Sequence, residues 1–247
     1  MNTMFAAFDP RLVVRDFLSL TGKQKIALGL MCLAVLLPSI ADRSLFHPSR
    51  LDLVYIIAGL SGIICVFLIN MRKLSNFQFG LVNAFVYGAA AYYSTYYGDA
   101  ALNFLFYFPF QFIGAYFWSK HMENSEVKVR ALTLSQSLIY LVFLSVCIYG
   151  YGYYLVHYTN DAMPYVDSST NMISIFAMLL MVKGYWEQWI GWVVVNVLSV
   201  WMWVVAGRFN PAAYAVLVMW IAYLANSIYG AVNWYKSCRL SFFETAK

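Results

Sequence analysis

Along the chain, long apolar runs alternate with short polar stretches. Eight runs stand out: Ile26–Ala41, Leu53–Ile69, Phe77–Tyr97, Ala100–Ser119, Ala131–Val156, Ser168–Val182, Gln188–Gly207 and Pro211–Tyr235, none of which contains Asp, Glu, Lys or Arg. Each comes near to or exceeds the roughly 20 residues a helix needs to cross ~30 Å of hydrocarbon. In lipid, backbone amides must be satisfied within a segment or in a closed barrel. The runs are far longer than the ~10 alternating residues of a barrel strand. The pattern therefore predicts an all-α integral membrane protein with eight transmembrane helices.

Composition agrees, and it removes other classes. Of 247 residues, 62% are hydrophobic and 11% charged, against roughly 45–50% and about 25% in a soluble domain. A water-soluble globule is excluded. The net charge of +5 comes from Lys and Arg scattered over the loops, so nucleic acid is not an expected partner. Cys32, Cys65, Cys147 and Cys238 lie far apart without C-x-x-C or Cys/His spacing, which predicts neither a metal site nor a disulfide framework.

Charge also orients the bundle, because Lys and Arg favour the cytoplasmic side of short loops. With the N-terminus inside, Arg11, Arg15, Lys23, Lys25, Arg72, Lys73, Lys120, Lys128, Arg130, Lys183, Lys236, Arg239 and Lys247 are cytoplasmic. Only Arg43, Arg50 and Arg208 remain outside. Both termini are therefore expected in the cytoplasm. Lys23 and Lys25 before a run ending Ser39-Ile40-Ala41 also fit a secretory signal, but the long leader favours a retained span.

Internal similarity divides the chain further. Gly114-Ala115-x-x-Trp118-x-Lys120 matches Gly230-Ala231-x-x-Trp234-x-Lys236, Phe79-x-x-x-Asn83 matches Trp192-x-x-x-Asn196, and Tyr97–Ala101 matches Phe209–Ala213 at a hairpin turn. The three matches occur in order, which predicts a duplication. Residues 1–50 then form an N-terminal segment with an extra helix, 51–120 a first three-helix repeat, and 121–160 a linker helix. Residues 161–236 form the second repeat and 237–247 a tail. A single linking helix makes the repeats parallel, with a substrate site between them at mid-bilayer.

The spans contain no acidic or basic group to act as catalyst, and no hydrolase or nucleotide motif occurs, so the chain is not expected to be an enzyme or to use a cofactor. What they contain is rings and amides. Trp189, Trp192, Asn196, Ser199 and Trp203 fall within about 80° on one helix face, as do Asn103, Tyr107, Gln111, Gly114 and Trp118 on another. An unpartnered amide in hydrocarbon costs several kcal/mol. Asn83, Gln111, Asn196 and Asn226 should therefore face the bundle interior. The repeat places Asn83 and Asn196 in equivalent positions. The candidate substrate-binding set is Trp189, Trp192, Asn196, Asn83, Gln111, Asn226 and Tyr107, with helix-to-helix adhesion as the competing role for the amides. Pro109 is expected to kink the fourth span beside Gln111.

Trp189-x-x-Trp192-x-x-x-Asn196 resembles the Trp-x-x-Trp-x-x-x-Asn motif of PnuC-type nicotinamide riboside transporters, and Gly98–Asn103 resembles their Gly-Asp-Ala-x-x-Asn turn. The resemblance covers roughly Leu51 to Lys236. It implies a 3+1+3 helix arrangement similar to SWEET sugar carriers, facilitated diffusion of nicotinamide riboside across a bacterial inner membrane, and a homotrimer. A carrier for thiamin, riboflavin or a sugar is the nearest alternative, and a noncatalytic membrane scaffold a more distant one.

Overall fold

Each apolar run folds as a helix, the one open structure that keeps its amides paired without water. The structure is a computed structural model and describes residues 7–41, 50–93, 97–159, 163–207 and 213–245. Arg43, Arg208 and the start of the eighth run at Pro211 lie outside the described residues. In chain order come α1 (Pro10–Leu18), α2 (Gly22–Ala41), α3 (Arg50–Asn70), α4 (Asn76–Tyr93) and α5 (Tyr97–Leu102). A π turn (Asn103–Tyr107) leads into α6 (Phe108–Lys120), followed by a hairpin of β1 (Met122–Glu123) and β2 (Glu126–Val127). Then come α7 (Leu134–Tyr158), α8 (Pro164–Val182), α9 (Gln188–Gly207) and α10 (Ala213–Thr245). Among the described residues, five helices are long and apolar enough to cross a membrane: Gly22–Ala41, Asp52–Asn70, Ala100–Lys120, Leu134–Tyr158 and Pro164–Val182.

Two expectations need correction. The Gly98–Asn103 stretch is helical rather than a turn. The irregularity at Pro109 is a π turn just upstream of it, because proline has no N–H for the carbonyl four residues back and the helix widens to re-pair its amides.

Helix contacts close a ring. α3 packs on α4, α4 on α6, α6 on α8, α8 on α9, α9 on α10, and α10 back on α3. α2 lies outside the ring against α3 and α10, and α7 lies against α8. The outer faces are apolar: on α7, Ile139, Val142, Phe143 and Val146 are exposed, and on α2, Ile26 and Leu30.

Contacts repeat within the ring, in two groups, α3–α4–α6 and α8–α9–α10. α3 ends in a left-handed residue, Arg72 (φ 57), and α8 in Gly184 (φ 76). Lys73 N–H donates to Leu68 O at 2.9 Å, and Tyr185 N–H to Leu180 O at 3.0 Å, the same helix-terminating bond in both places. Each third helix then caps the other group's first helix. Trp118 Nε1 donates to Met181 O at 2.9 Å, and Trp234 Nε1 donates to Ile69 O at 3.2 Å and Asn70 O at 3.1 Å. These carbonyls belong to the last turns of α8 and α3, where Gly184 N–H donates to Met181 O and Arg72 N–H to Ile69 O at 2.9 Å, so each indole adds a second donor from the opposite group.

The same two indoles close the ring's axis. Phe77 meets Trp118 edge-on with centroids 5.1 Å apart, Trp118 meets Trp234 at 5.9 Å, and Trp234 meets Trp189 edge-on at 6.1 Å. All four are at most 2% exposed. Gly114 and Gly230 make room for this layer. A Cβ at Gly114 would strike the Phe77 ring, and one at Gly230 would lie 2.7 Å from Trp189.

A basic end surrounds this aromatic layer. The short helix α1, which the apolar pattern did not reveal, docks there through Asp16, whose Oδ2 accepts from Ser75 N at 3.2 Å at the start of α4. Gln78 Nε2 donates to Ala7 O at 2.9 Å and Asp9 O at 3.0 Å. The hairpin and the strand-like stretch after it touch both groups: Val127 N–H donates to Arg72 O at 3.1 Å and Arg130 N–H to Gly184 O at 2.8 Å. Glu187 is anchored in this layer by Leu132 N–H at 2.7 Å.

Two predictions follow from the packing. Gly230→Ala gains roughly 1 kcal/mol of helix propensity, but its methyl meets the buried Trp189 ring, packed edge-on against Trp234. Overpacking of this kind costs about 1–3 kcal/mol and wins, so thermal unfolding should show a lower midpoint. Burial pushes the Glu187 carboxyl upward, partly opposed by hydrogen bonds from its own backbone N–H, from Leu132 N–H and from Trp186. A raised folded-state value costs stability as pH climbs from the ordinary carboxylate range through the raised one. Glu187→Gln keeps the acceptor for Leu132 and removes the charge, so it should flatten this fall in a pH series of melting curves.

Candidate functional site

Starting from the aromatic layer, α9 and α10 carry the amides along the axis. Trp189 is part of the layer itself, 2% exposed and with its Nε1 unpartnered. One turn along α9, Trp192 is half-buried against the same aromatic core. Asn196, one further turn on and 5% exposed, donates through Nδ2 to Ser227 Oγ at 2.7 Å. Ser227 in turn donates to Tyr223 O at 2.9 Å.

On the opposite group, Gln111 occupies the place that Ser227 holds here. Both lie three residues before the glycine and seven before the tryptophan of the third helix, which is about 10 Å above the aromatic layer at 1.5 Å per residue. Gln111 Nε2 donates to Tyr107 O at 3.1 Å, matching the Ser227–Tyr223 bond. Its Oε1 is buried with no hydrogen-bond partner and lies over Gly80, where a Cβ would strike it. An amide acceptor left without a partner at this depth is unusual, since buried polar groups are nearly always hydrogen-bonded.

The remaining predicted residues bind helices to one another. Asn226, 4% exposed, accepts from Asn70 Nδ2 at 3.1 Å and donates to Val66 O at 3.3 Å, tying α10 to α3. Asn233 Nδ2 donates to Asn70 O at 3.2 Å beside it. Asn83 donates to Ala58 O at 2.6 Å, tying α4 to α3. Tyr107 sits at the end of the π turn, half-buried against the aromatic core, with its carbonyl holding Gln111.

Asn83 and Asn196 are not equivalent. Phe77 and Trp189 hold corresponding places beside Gly114 and Gly230. Counting from them, the counterpart of Asn196 is Ala84, which is 1% exposed. One residue of register turns a side chain by about 100°, which sends Asn83 to the first helix of its group and Asn196 to the third. The apolar pattern also missed Asn70, Ser227 and Tyr223. A Cβ at Gly62 would lie 2.9 Å from Asn83 Nδ2 and 3.2 Å from Tyr223 Oη, so α3, α4 and α10 converge there. Spacing alone could have flagged Tyr223 and Ser227, which lie seven and three residues before Gly230, as Tyr107 and Gln111 lie before Gly114.

This ring and its amide layer have close parallels among known transporters. The family model described as nicotinamide mononucleotide transporter matches residues 52–236. The chain belongs to that family: it is a membrane transporter, not an enzyme. A nicotinamide riboside transporter PnuC of Neisseria mucosa is 38% identical over 189 residues, covering 73% of this chain and 71% of its own. The corresponding protein of Haemophilus influenzae is 35% identical over 184 residues, covering 73% of this chain and 78% of its own. The crystal structure of a vitamin B3 transporter PnuC superposes with a TM-score of 0.75 at 33% identity, covering 94% of this chain and 98% of that one.

Asn70 is the hub of the inter-group seam, with bonds to Asn226, Asn233 and Trp234. Asn70→Ala leaves the Asn226 acceptor without its donor, at about 1–3 kcal/mol for a buried polar group. Asn196→Ala leaves Ser227 bonded to Tyr223, so its melting midpoint should fall by less than that of Asn70→Ala.

Proposed function

We propose that the chain carries nicotinamide riboside by facilitated diffusion, with Trp192, Asn196 and Gln111 lining the seat and Trp189 at its floor. The observation that carries this is the unpartnered Gln111 Oε1 level with Asn196, above an aromatic layer. Nicotinamide riboside has a fixed pyridinium charge, a carboxamide and ribose hydroxyls. A desolvated cation over a tryptophan face gains roughly 2 kcal/mol or more. Asn and Gln supply donor and acceptor to the amide and hydroxyls. Asn83, Asn226 and Tyr107 then hold the walls. The family's description names the mononucleotide, but the eight apolar runs contain no Lys or Arg to receive its phosphate, which favours the riboside.

The architecture that serves this is eight spans in a 3+1+3 core with an extra first helix, its domains bounded as the repeat predicts. The crossed indole caps support two related three-helix units that rock about the seat, giving alternating access. The clustering of the described Lys and Arg residues around the aromatic layer supports an inner-membrane protein with both termini cytoplasmic. The apolar outer face of α7 suits lipid or the neighbouring copies of a homotrimer.

Proteoliposome uptake tests the reading. Labelled nicotinamide riboside should enter down its gradient until both sides are equal, and unlabelled thiamin, riboflavin or sugar should not compete. Trp192→Ala and Asn196→Ala should each weaken half-saturation tenfold or more. Undiminished uptake in both variants removes the seat, and no uptake by the native chain removes the carrier.

A further inference from the structure

The two groups meet along two seams, and each seam holds a cavity at the basic end. At the α3–α10 seam, a cavity of about 220 Å³ is lined by Arg72, Lys73, Glu126 and Asn233, with the α1–α2 turn beside it. Its two cations are answered from within the chain. Glu126 pairs with Arg72 and, at 3.4 Å, with Lys73.

The α6–α8 seam holds a cavity of about 240 Å³ lined by His121, Lys128, Arg130 and Lys183, with Trp118 and Tyr185 among its walls. No carboxylate lines it. Lys128 pairs with Glu123 at 3.1 Å, and among the described residues no carboxylate pairs with Arg130 or Lys183. The two seams are built alike, yet only the first has a carboxylate in its cavity wall.

We infer that the α6–α8 cavity binds a phosphate group, which does at this seam what Glu126 does at the other. Arg130 offers a planar fork suited to two phosphate oxygens, and Lys183 a compact point charge. The cavity lies at the level where α6 and α8 end. Basic pockets between membrane helices take phospholipid headgroups by this chemistry. A free phosphate ion carries the same group. Either one bridges His121 and Lys128 on the first group's side to Arg130, whose backbone pairs with Gly184 and Trp186, and Lys183 on the second, and so holds the groups together at this end.

Thermal unfolding in neutral detergent tests the site without reading transport. Phosphatidylglycerol should raise the melting midpoint and phosphatidylcholine should not, because a ligand of the folded state alone stabilises it. The Arg130→Gln/Lys183→Gln double variant alters two exposed side chains. It should melt near the native midpoint without anion and need at least tenfold more phosphatidylglycerol for the same rise. A rise with lipid only makes the headgroup the source, and a rise with inorganic phosphate as well makes free phosphate a second source. No rise in the native chain, or the same rise in the double variant, overturns the inference.

Discussion

Two indole N–H groups, each given to the carbonyl end of a helix in the opposite group, are the constraint on which this ring depends. At the ends of α8 and α3 the turn already supplies one donor, Gly184 N–H to Met181 O and Arg72 N–H to Ile69 O, and the carbonyls keep a second lone pair for a donor from outside the helix. Trp118 answers Met181, and Trp234 answers Ile69 and Asn70. The caps therefore cross the axis, and in crossing they bring the two rings to 5.9 Å from one another.

Further features descend from that crossing. With two rings at the axis, Phe77 and Trp189 complete a layer, and the third helices must carry glycine where those rings lie. Gly114 and Gly230 are thus set by aromatic packing. Above the layer, the next inward positions of α6 and α10 bear Gln111 and Ser227. One side is closed by Asn196, and on the other an acceptor is left over. That difference between otherwise matching halves leaves one unpartnered acceptor at the level of the Asn196–Ser227 bond.

The sequence made the helices legible because membrane spans are written in composition over long windows, which needs no knowledge of partners. It made Gly114, Trp118 and their counterparts legible as matching motifs, whose spacing is fixed by one helix and which make corresponding contacts in the structure. It misled at Asn83, where a register off by one residue still looks like a match in a string yet turns the side chain to another helix. Trp189 shares a helix face with Asn196, which the sequence shows; that its ring also packs edge-on against Trp234 in the aromatic layer could be seen only in the structure. The helix α1 was hidden because its nine residues are too short and too polar to stand out as an apolar run, and it docks through a few apolar contacts such as Leu12 and Phe17 together with the single polar bonds of Asp16 and Gln78. The π turn was half legible, since Pro109 announces a defect without saying on which side the helix absorbs it.

A seat of rings and amides also has a consequence for release. A buried carboxylate would hold a pyridinium strongly in low dielectric, and it would carry a heavy desolvation cost whenever the cation left. Neutral amides and ring faces change little in solvation between filled and empty states, so the cost of emptying stays near that of filling. The facilitated diffusion proposed above needs that balance, because turnover is limited by whichever half of the cycle climbs higher. Charge is instead gathered at the basic end, on Arg72, Lys73, Arg130 and Lys183, where it can clamp or free the seams without touching the cargo.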